Sequence, residues 1–187
     1  ALNSAYGAMG NQYFRYFDIR LSEAITKSGQ LSIRWIERKL NEYLNGILKT
    51  KNEDYIVASD TDSVYLTMGS FVENCLGEVS DKDRVINFLD RVSANEIQQY
   101  INESFQELFQ YMGSYQQKMS MKREVIAEKG IWTAKKRYVL NVWDNEGVRY
   151  TSPKIKIMGI EAVRSSTPQA CRSKILELME VIMEGTE

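Results

Sequence analysis

Residues 56–66 read IVASDTDSVYL, two apolar segments separated by an acidic centre. Tyr55–Ala58 is apolar, and Ser63–Met68 alternates polar and apolar residues as a half-buried strand does. The pattern predicts a β-hairpin with an Asp-Thr-Asp-Ser turn. Because successive side chains of a strand point to opposite faces, the carboxylates of Asp60 and Asp62 are predicted to lie on the same side, a short distance apart.

Two aspartates placed in this way form a candidate cation site. Like charges at short range repel each other, and a cation between them removes the repulsion. Hard oxygen ligands suit Mg²⁺ or Mn²⁺. A solvated acidic turn is the alternative, and a single Asp-x-Asp pattern does not decide between the two. The flanking apolar strands favour the site, because they would hold the carboxylates on a rigid platform.

Composition excludes several classes of function. The chain has 187 residues, 43% of them hydrophobic, which is enough for a sizeable core. Its net charge of −1 predicts that any contact with nucleic acid depends on a local patch. The chain contains no histidine, which excludes histidine bases, triads and metal ligands. The two cysteines, Cys75 and Cys171, are far apart and are expected to be reduced, as in a cytoplasmic protein. No apolar run reaches the roughly 18 residues of a membrane span.

The first half of the chain is predicted to be largely helical. A short helix of small residues covers residues 1–11, and a long helix begins at the N-cap Asp18. Gly29 in this long helix is expected to let another element approach closely. The apolar residues of the long helix recur at the spacing of one buried face; they are Ile25, Ile33, Ile36, Leu40, Leu44 and Ile47.

The second half mixes helices with antiparallel strands. Residues 69–80 are predicted to be a loop, residues 81–91 a short helix, and Ser93 with Glu96 the capping box of a longer helix. Strands are predicted at residues 121–128, 130–143, 148–151 and 154–158, and Ser-Ser-Thr-Pro at residues 165–168 predicts a helix start. The fold class is therefore α+β, with an antiparallel sheet covered by helices.

Two further motifs suggest binding surfaces. Lys135-Lys136-Arg137-Tyr138 places three cations and an aromatic ring on the strand 130–143, which suits contact with phosphates. A solvated edge strand protected by lysines is the alternative. Asn3-Ser4-x-Tyr6-Gly7 places a polar group and an aromatic ring on one helix face, beside a glycine that allows close approach. This second motif is also consistent with a purely structural role.

The order and spacing of these three motifs resemble those of the family-B DNA polymerases, most closely those of large tailed bacteriophages. The resemblance also includes Gly159-Ile160-Glu161 and the helix start at residues 165–168, so it covers nearly the whole chain. It implies a palm domain at residues 12–165 that lacks its N-terminal segment. The C-terminal end of a fingers helix would precede it at residues 1–11, and the first thumb helix would follow at residues 166–187.

The resemblance implies a two-metal nucleotidyl transfer from a dNTP to a primer 3′-hydroxyl. Asp62 would ligate two Mg²⁺ ions, or Mn²⁺, and Asp60 would assist or position it. Asn3 would contact the triphosphate, Tyr6 and Gly7 would line the nascent base pair, and Thr61 belongs to the same nucleotide-binding set.

The resemblance also implies a DNA contact. Lys135, Lys136, Arg137 and Tyr138 would hold the primer end, and Glu124 on the neighbouring strand would add a carboxylate near the metals. The implied partners are primer–template DNA, dNTP and the remainder of the polymerase chain with its exonuclease, fingers and thumb. A cytoplasmic location follows, in a host cell if the source is viral.

Two features of the family are missing from the sequence. The family has a further catalytic aspartate in an Asp-x-x-Ser-Leu-Tyr motif before the fingers, and a fingers lysine four residues before Asn-Ser. We therefore expect the chain to be a segment of a longer protein and to be inactive alone. Two alternatives stay open: another two-metal palm nucleotidyltransferase, or a non-catalytic α+β interaction module.

Overall fold

The structure is a computed structural model that describes residues 2–79 and 81–185, with only the helical backbone for residues 2 and 3. The chain divides into two compact units. Unit 1 comprises residues 1–68 and 101–119, and unit 2 comprises residues 69–100 and 120–187. The acidic hairpin therefore belongs to unit 1 and the basic motif to unit 2.

Unit 1 is built on one long helix. Its elements are α1 (Leu2–Met9), α2 (Ile19–Leu48), β1 (Ile56–Asp60), β2 (Ser63–Leu66) and most of α5 (Gln98–Met112). As predicted, α2 begins after the N-cap Asp18, whose side chain accepts a hydrogen bond from the Arg20 backbone N–H. It ends at Lys49, which takes the left-handed conformation with φ of 55°.

The buried face of α2 is shorter than the apolar pattern predicted. Ile36, Leu40 and Leu44 are at most 2% exposed and form the core of unit 1. Ile25 and Ile47, by contrast, are 48% and 41% exposed, so the expectation of a buried face along the whole helix was wrong. The expectation for Gly29 was also wrong, because a Cβ atom there would meet nothing within 4 Å.

Helix α5 packs against α2 through an aromatic contact. The indole N–H of Trp35 donates a hydrogen bond of 2.9 Å to the Ser104 carbonyl oxygen. The Trp35 ring also stacks on Tyr111, with 6.2 Å between ring centroids. Phe105 and Leu108 are 3% and 5% exposed and complete this side of the core.

Unit 2 combines helices with a three-stranded sheet. Its elements are α3 (Gly69–Leu76), α4 (Lys82–Val92), the π-helical turn Ser93–Ile97, β3 (Val125–Ala134), β4 (Arg137–Asn145), β5 (Val148–Met158), the 3₁₀ turn Glu161–Val163 and α6 (Gln169–Glu184). The predicted loop at 69–80 is therefore mostly helical. The predicted capping box was wrong, because Ser93 has helical dihedrals and the helix continues through it into α5.

The sheet is antiparallel, in the order β3-β4-β5. The single strand predicted at residues 130–143 was wrong, because a hairpin turn at Lys135 and Lys136 divides it into β3 and β4. A two-residue turn alone would shift the alternation by one residue, because it places Ala134 opposite Arg137. The bulge at Thr133 restores the phase, with Trp132 opposite Tyr138, so alternation does not reveal the turn. The two strands predicted at residues 148–158 are one, β5.

Helix α6 covers part of the sheet. It begins after Pro168, which makes no side-chain cap, so the predicted Ser or Thr cap was wrong. The apolar contact surface joins helix and sheet, and its members are Val139, Ile155, Ile157, Ile160, Ala162, Ile175, Met179 and Met183. The α+β class with antiparallel sheets is confirmed. None of the described helices is both long enough and apolar enough to cross a membrane.

Candidate active site

The predicted hairpin is present in unit 1. β1 and β2 are antiparallel, with Asp60 opposite Ser63 and a turn made of Thr61 and Asp62. Asp62 lies in the turn, so strand alternation does not set its direction, and that part of the geometric prediction does not apply. Instead, the Asp62 backbone N–H donates to the Asp60 carbonyl oxygen at 2.6 Å. The tight turn therefore fixes the two aspartates at the tip of the hairpin.

Thr61 holds the turn in a strained conformation. Its φ is 54°, a value that β-branched residues rarely adopt. Its hydroxyl donates a 3.0 Å hydrogen bond to Oδ1 of Asp60, and the Ser63 hydroxyl donates to the Asp60 carbonyl oxygen at 3.2 Å. Such strain costs about 1–3 kcal/mol per residue and is concentrated at functional sites. The strain therefore suggests that this turn holds the aspartate carboxylates in a defined orientation for ligand binding.

A β-bulge lies on the strand that leads to Asp60. Ile56 pairs with Leu66 and Ala58 pairs with Tyr65, so Val57 is an additional residue on β1. A bulge bends its strand, increases the local twist and often re-aims a neighbouring side chain near an active site. The direction of the hairpin tip thus depends on this additional residue.

Two asparagines of α2 anchor the base of the hairpin. The Asn41 side chain accepts from the Tyr55 backbone N–H at 2.8 Å and donates to Asp54 at 2.9 Å. The Asn45 side chain accepts from the Glu53 backbone N–H at 2.9 Å. Tyr55 is 3% exposed. Sequence reasoning missed these anchors, because an asparagine in a helix pattern gives no sign of its tertiary partner.

The donor set at the tip fits a hard divalent cation. Asp60 is half-buried and Asp62 is exposed, so the two carboxylates combine a fixed and an accessible donor. Carboxylate oxygen is the ligand type that Mg²⁺ prefers, usually with one or two carboxylates from the protein. Across residues 2–79 and 81–185, no group of three or more acidic or cysteine side chains is arranged to hold a metal. The hairpin itself offers two carboxylates.

The N-terminal motif lies on α1. The Tyr6 hydroxyl hydrogen-bonds the Thr26 hydroxyl of α2 at 3.0 Å, and Tyr6 is 43% exposed. A Cβ atom at Gly7 would meet nothing within 4 Å, whereas one at Gly10 would lie 3.3 Å from the Ser22 hydroxyl. Gly10 is therefore the glycine that brings α1 close to α2. The predicted contact of Asn3 with nucleotide concerns a side chain outside the described residues.

The basic motif is divided between a turn, Lys135 and Lys136, and the start of β4, Arg137 and Tyr138. Lys135 and Lys136 link β3 to β4, and Lys136 has φ of 60°. Lys135 and Lys136 are exposed, Arg137 and Tyr138 are half-buried, and Tyr138 lies beside Trp132 with ring centroids 6.3 Å apart. We call residues 135–138 the basic turn. The turn therefore places both lysine side chains at the surface of unit 2.

Glu124 lies at the other end of β3 from the basic turn. It is exposed and directly precedes Val125, the first residue of that strand. Its carbonyl oxygen accepts from the Glu146 backbone N–H at 2.5 Å. The two predicted functional features of unit 2 are therefore separated by the length of the strand. The predicted proximity of Glu124 to the metals stays a prediction.

A buried charge cluster in unit 2 was not predicted. Asp144 is 2% exposed, pairs with Arg123, and accepts from the Gly147 backbone N–H at 3.0 Å and from Arg149 at 3.4 Å. Burial raises the pKa of Asp144, but the bonds from Arg123 and Gly147 outweigh it, and the net pKa is lowered. Arg123 also pairs with Asp90 of α4. Sequence reasoning identified Asp144 only as a turn residue.

Comparison with known proteins identifies the family. A family model described as divergent family B DNA polymerase matches residues 46–187. The chain is 44% identical over 195 aligned positions to the DNA-directed DNA polymerase of Escherichia phage RB69, with 98% of the chain covered. It is 41% identical to that of Enterobacteria phage T4, with 100% covered. The chain spans 22% of the length of each relative. The predicted resemblance is confirmed, and the chain belongs to the divergent family B DNA polymerases.

Proposed function

We propose that this chain is the palm segment of a template-directed DNA polymerase, which transfers a nucleotide from a dNTP to a primer 3′-hydroxyl. The observation that carries the proposal is the Asp60-Thr61-Asp62 turn, constrained at the tip of an anchored hairpin in a family B polymerase chain. The proposed boundaries are the end of the fingers at residues 1–11, the palm at 12–165 and the thumb from 166. The activity belongs to the longer polymerase.

Asp62 and Asp60 would hold Mg²⁺ or Mn²⁺, with a further carboxylate from elsewhere in the polymerase. When bound, two divalent ions would lower the pKa of the primer 3′-hydroxyl and neutralise the charge of the triphosphate and of the leaving pyrophosphate. Asp62, exposed in the turn, would be the main ligand, and half-buried Asp60 would position it. Glu124 is a candidate for an additional carboxylate near this site.

The other residues of the chain would bind and orient the substrates. Tyr6 and Gly7 would line the nascent base pair, Asn3 would contact the triphosphate, and Thr61 would keep the carboxylates in place beside it. Holding the reacting groups in line is the main protein contribution to phosphoryl transfer, because little covalent chemistry is left to the side chains.

The basic turn would hold the primer end. Lysine and arginine side chains neutralise phosphates and release counterions, which fixes register without reading sequence. The exposed positions of Lys135 and Lys136 support this role. Tyr138 and Trp132 form an aromatic pair next to the cations and would support the same surface.

Primer extension by the full-length polymerase tests the proposal. Asp62→Asn should lower the rate of single-nucleotide incorporation by several orders of magnitude, because it removes a charged metal ligand while keeping the side-chain volume. Binding to primer–template should be retained. Glu53→Gln, an exposed carboxylate that precedes the same hairpin, is the matched control and should leave extension unchanged. Unchanged extension by Asp62→Asn would remove Asp62 from the chemistry.

A further inference from the structure

We propose that Gly159 and Glu161 are positioning residues that hold the basic turn in the shape that contacts DNA. The inference rests on the proposed function, since it takes the DNA contact of residues 135–138 as given. It assigns a role to Gly159-Ile160-Glu161, the segment that follows β5 and that has no part in the function proposed above.

The Gly159 backbone lies directly against the basic turn. Gly159 has φ of 66°, and a Cβ atom built on it would lie 2.1 Å from the Lys136 carbonyl oxygen and 3.2 Å from Cγ of Arg137. Any side chain at this position would therefore displace the turn backbone. Lys136 itself has φ of 60°. The left-handed conformation of Lys136 therefore places its carbonyl oxygen where only a residue without a Cβ atom fits at position 159.

Glu161 holds the same turn through its side chain. Its carboxylate forms an ion pair with the Arg137 guanidinium, and the two side chains are 44% and 36% exposed. The backbone N–H of Glu161 itself lowers the pKa of this carboxyl, and the charge of Arg137 lowers it further. The carboxylate is therefore ionised at neutral pH and available to orient Arg137.

The segment that carries both residues is fixed to the core of unit 2. Ile160, between them, is 5% exposed and packs in the cluster with Val139 and Met183. In addition, the Arg164 side chain donates to the Gly159 carbonyl oxygen at 3.3 Å. Residues 159–161 consequently form a fixed support for the basic turn, and the shape of the turn depends on contacts outside its own sequence.

The negative charge of Glu161 makes the two possible roles predict opposite changes in DNA affinity. A carboxylate near DNA repels phosphates, so its removal would tighten binding if charge alone mattered. A positioning role predicts the opposite, because loss of the ion pair lets Arg137 and the turn leave the binding geometry. Weaker binding after removal of a negative charge is therefore the signature of positioning.

The test measures the Kd of the full-length polymerase for primer–template at a series of KCl concentrations. Glu161→Gln should raise Kd by roughly three- to tenfold and reduce the salt slope by about one. Glu146→Gln is the matched control, because it removes one exposed carboxylate at the opposite end of β4. It should not weaken binding.

Two further variants separate the inference from the function on which it rests. The double variant Lys135→Ala/Lys136→Ala tests the basic turn itself, and an unchanged Kd would overturn its DNA-binding role. If that variant weakens binding but Glu161→Gln leaves Kd unchanged or lowers it, the positioning role is overturned. In an Arg137→Gln background, Glu161→Gln should add no further loss, and an additive loss would contradict the inference.

Gly159→Ala provides an independent measurement. Its matched control is Gly77→Ala, because Gly77 has a similar φ of 69° but nothing within 4 Å of an added Cβ. Both variants have the cost of a positive φ, and only Gly159→Ala pushes on Lys136. A larger rise in Kd for Gly159→Ala than for Gly77→Ala supports the inference, and equal Kd values would overturn it. If Gly159→Ala does not fold, the Glu161 comparison decides.

Discussion

The Thr61 hydroxyl donates a 3.0 Å hydrogen bond to Oδ1 of Asp60. The bond joins the strained residue of the turn to the carboxylate at the end of β1. Because Thr61 is held at φ of 54°, its side chain has little freedom to turn away. The orientation of Asp60 therefore depends on the turn that also carries Asp62.

Thr61→Val tests this dependence. Valine keeps the β-branch and the shape but removes the donor, so Asp60 loses one oriented hydrogen bond, worth about 1 kcal/mol. We expect single-nucleotide incorporation by the full-length polymerase to fall by roughly tenfold, with primer–template Kd unchanged. Thr67→Val, exposed just after β2, is the control and should retain the wild-type rate. A wild-type rate for Thr61→Val would show that the hydroxyl does not position Asp60.

Asp144→Asn should strongly destabilise unit 2. The substitution leaves Arg123 and Arg149 facing a neutral side chain in a buried site, and breaking a buried pair in this way costs about 3–5 kcal/mol. Urea unfolding followed by tryptophan fluorescence measures the loss in the free energy of unfolding. Asp90→Asn serves as the comparison. The Asp90 side chain is 47% exposed, so this substitution should lower the free energy of unfolding far less. Equal losses would mean that burial does not determine the effect.

The same cluster predicts a dependence of stability on pH. Burial raises the pKa of Asp144, but the bonds from Arg123 and Gly147 more than compensate and lower it below the value in the unfolded chain. The stabilisation is therefore complete above the unfolded pKa, about 3.9, and is lost as the pH falls through the lower folded pKa. As the pH falls below about 4, wild type should lose more free energy of unfolding than Asp144→Asn. Parallel pH profiles would contradict this assignment.

Lys129 should stabilise the C-terminal end of α6. Its ammonium group donates to the carbonyl oxygens of Met183 at 3.2 Å and Gly185 at 2.5 Å, where the helix has unpaired acceptors and a partial negative charge. Lys129→Met keeps the aliphatic stem but removes the donor. It should lower the free energy of opening of the last turn of α6 by about 1 kcal/mol. Amide hydrogen exchange of that turn measures the change. Lys122→Met, at an exposed position before β3, should leave exchange unaltered.

The sequence was most informative where short-range patterns determine structure. The hairpin at residues 56–66 and the N-cap at Asp18 follow from alternation and capping chemistry, and both are present. The α+β class follows from the mixture of helical and strand periods. The family resemblance came from three spaced motifs, because a chain of this length rarely contains all three in order by chance.

The sequence was least informative where tertiary contacts determine the structure, or where a turn leaves the alternation of polar and apolar residues unchanged. The turn at Lys135 and Lys136, together with the bulge at Thr133, keeps the phase of alternation, so residues 130–143 have the pattern of one strand. The anchoring by Asn41 and the burial of Asp144 depend on partners that are distant in sequence or on packing. Local patterns contain no information about these partners.

The most direct test of the central claim counts the metal ions that the hairpin binds. Mn²⁺ is titrated by electron paramagnetic resonance into the full-length polymerase with dNTP and a primer–template that lacks the 3′-hydroxyl. The proposal predicts about two tightly bound Mn²⁺ per complex in wild type and at least one fewer in Asp62→Asn. Glu53→Gln should match wild type. The same number of ions, bound with the same affinity, in wild type and Asp62→Asn would contradict the assignment of Asp62 as a metal ligand.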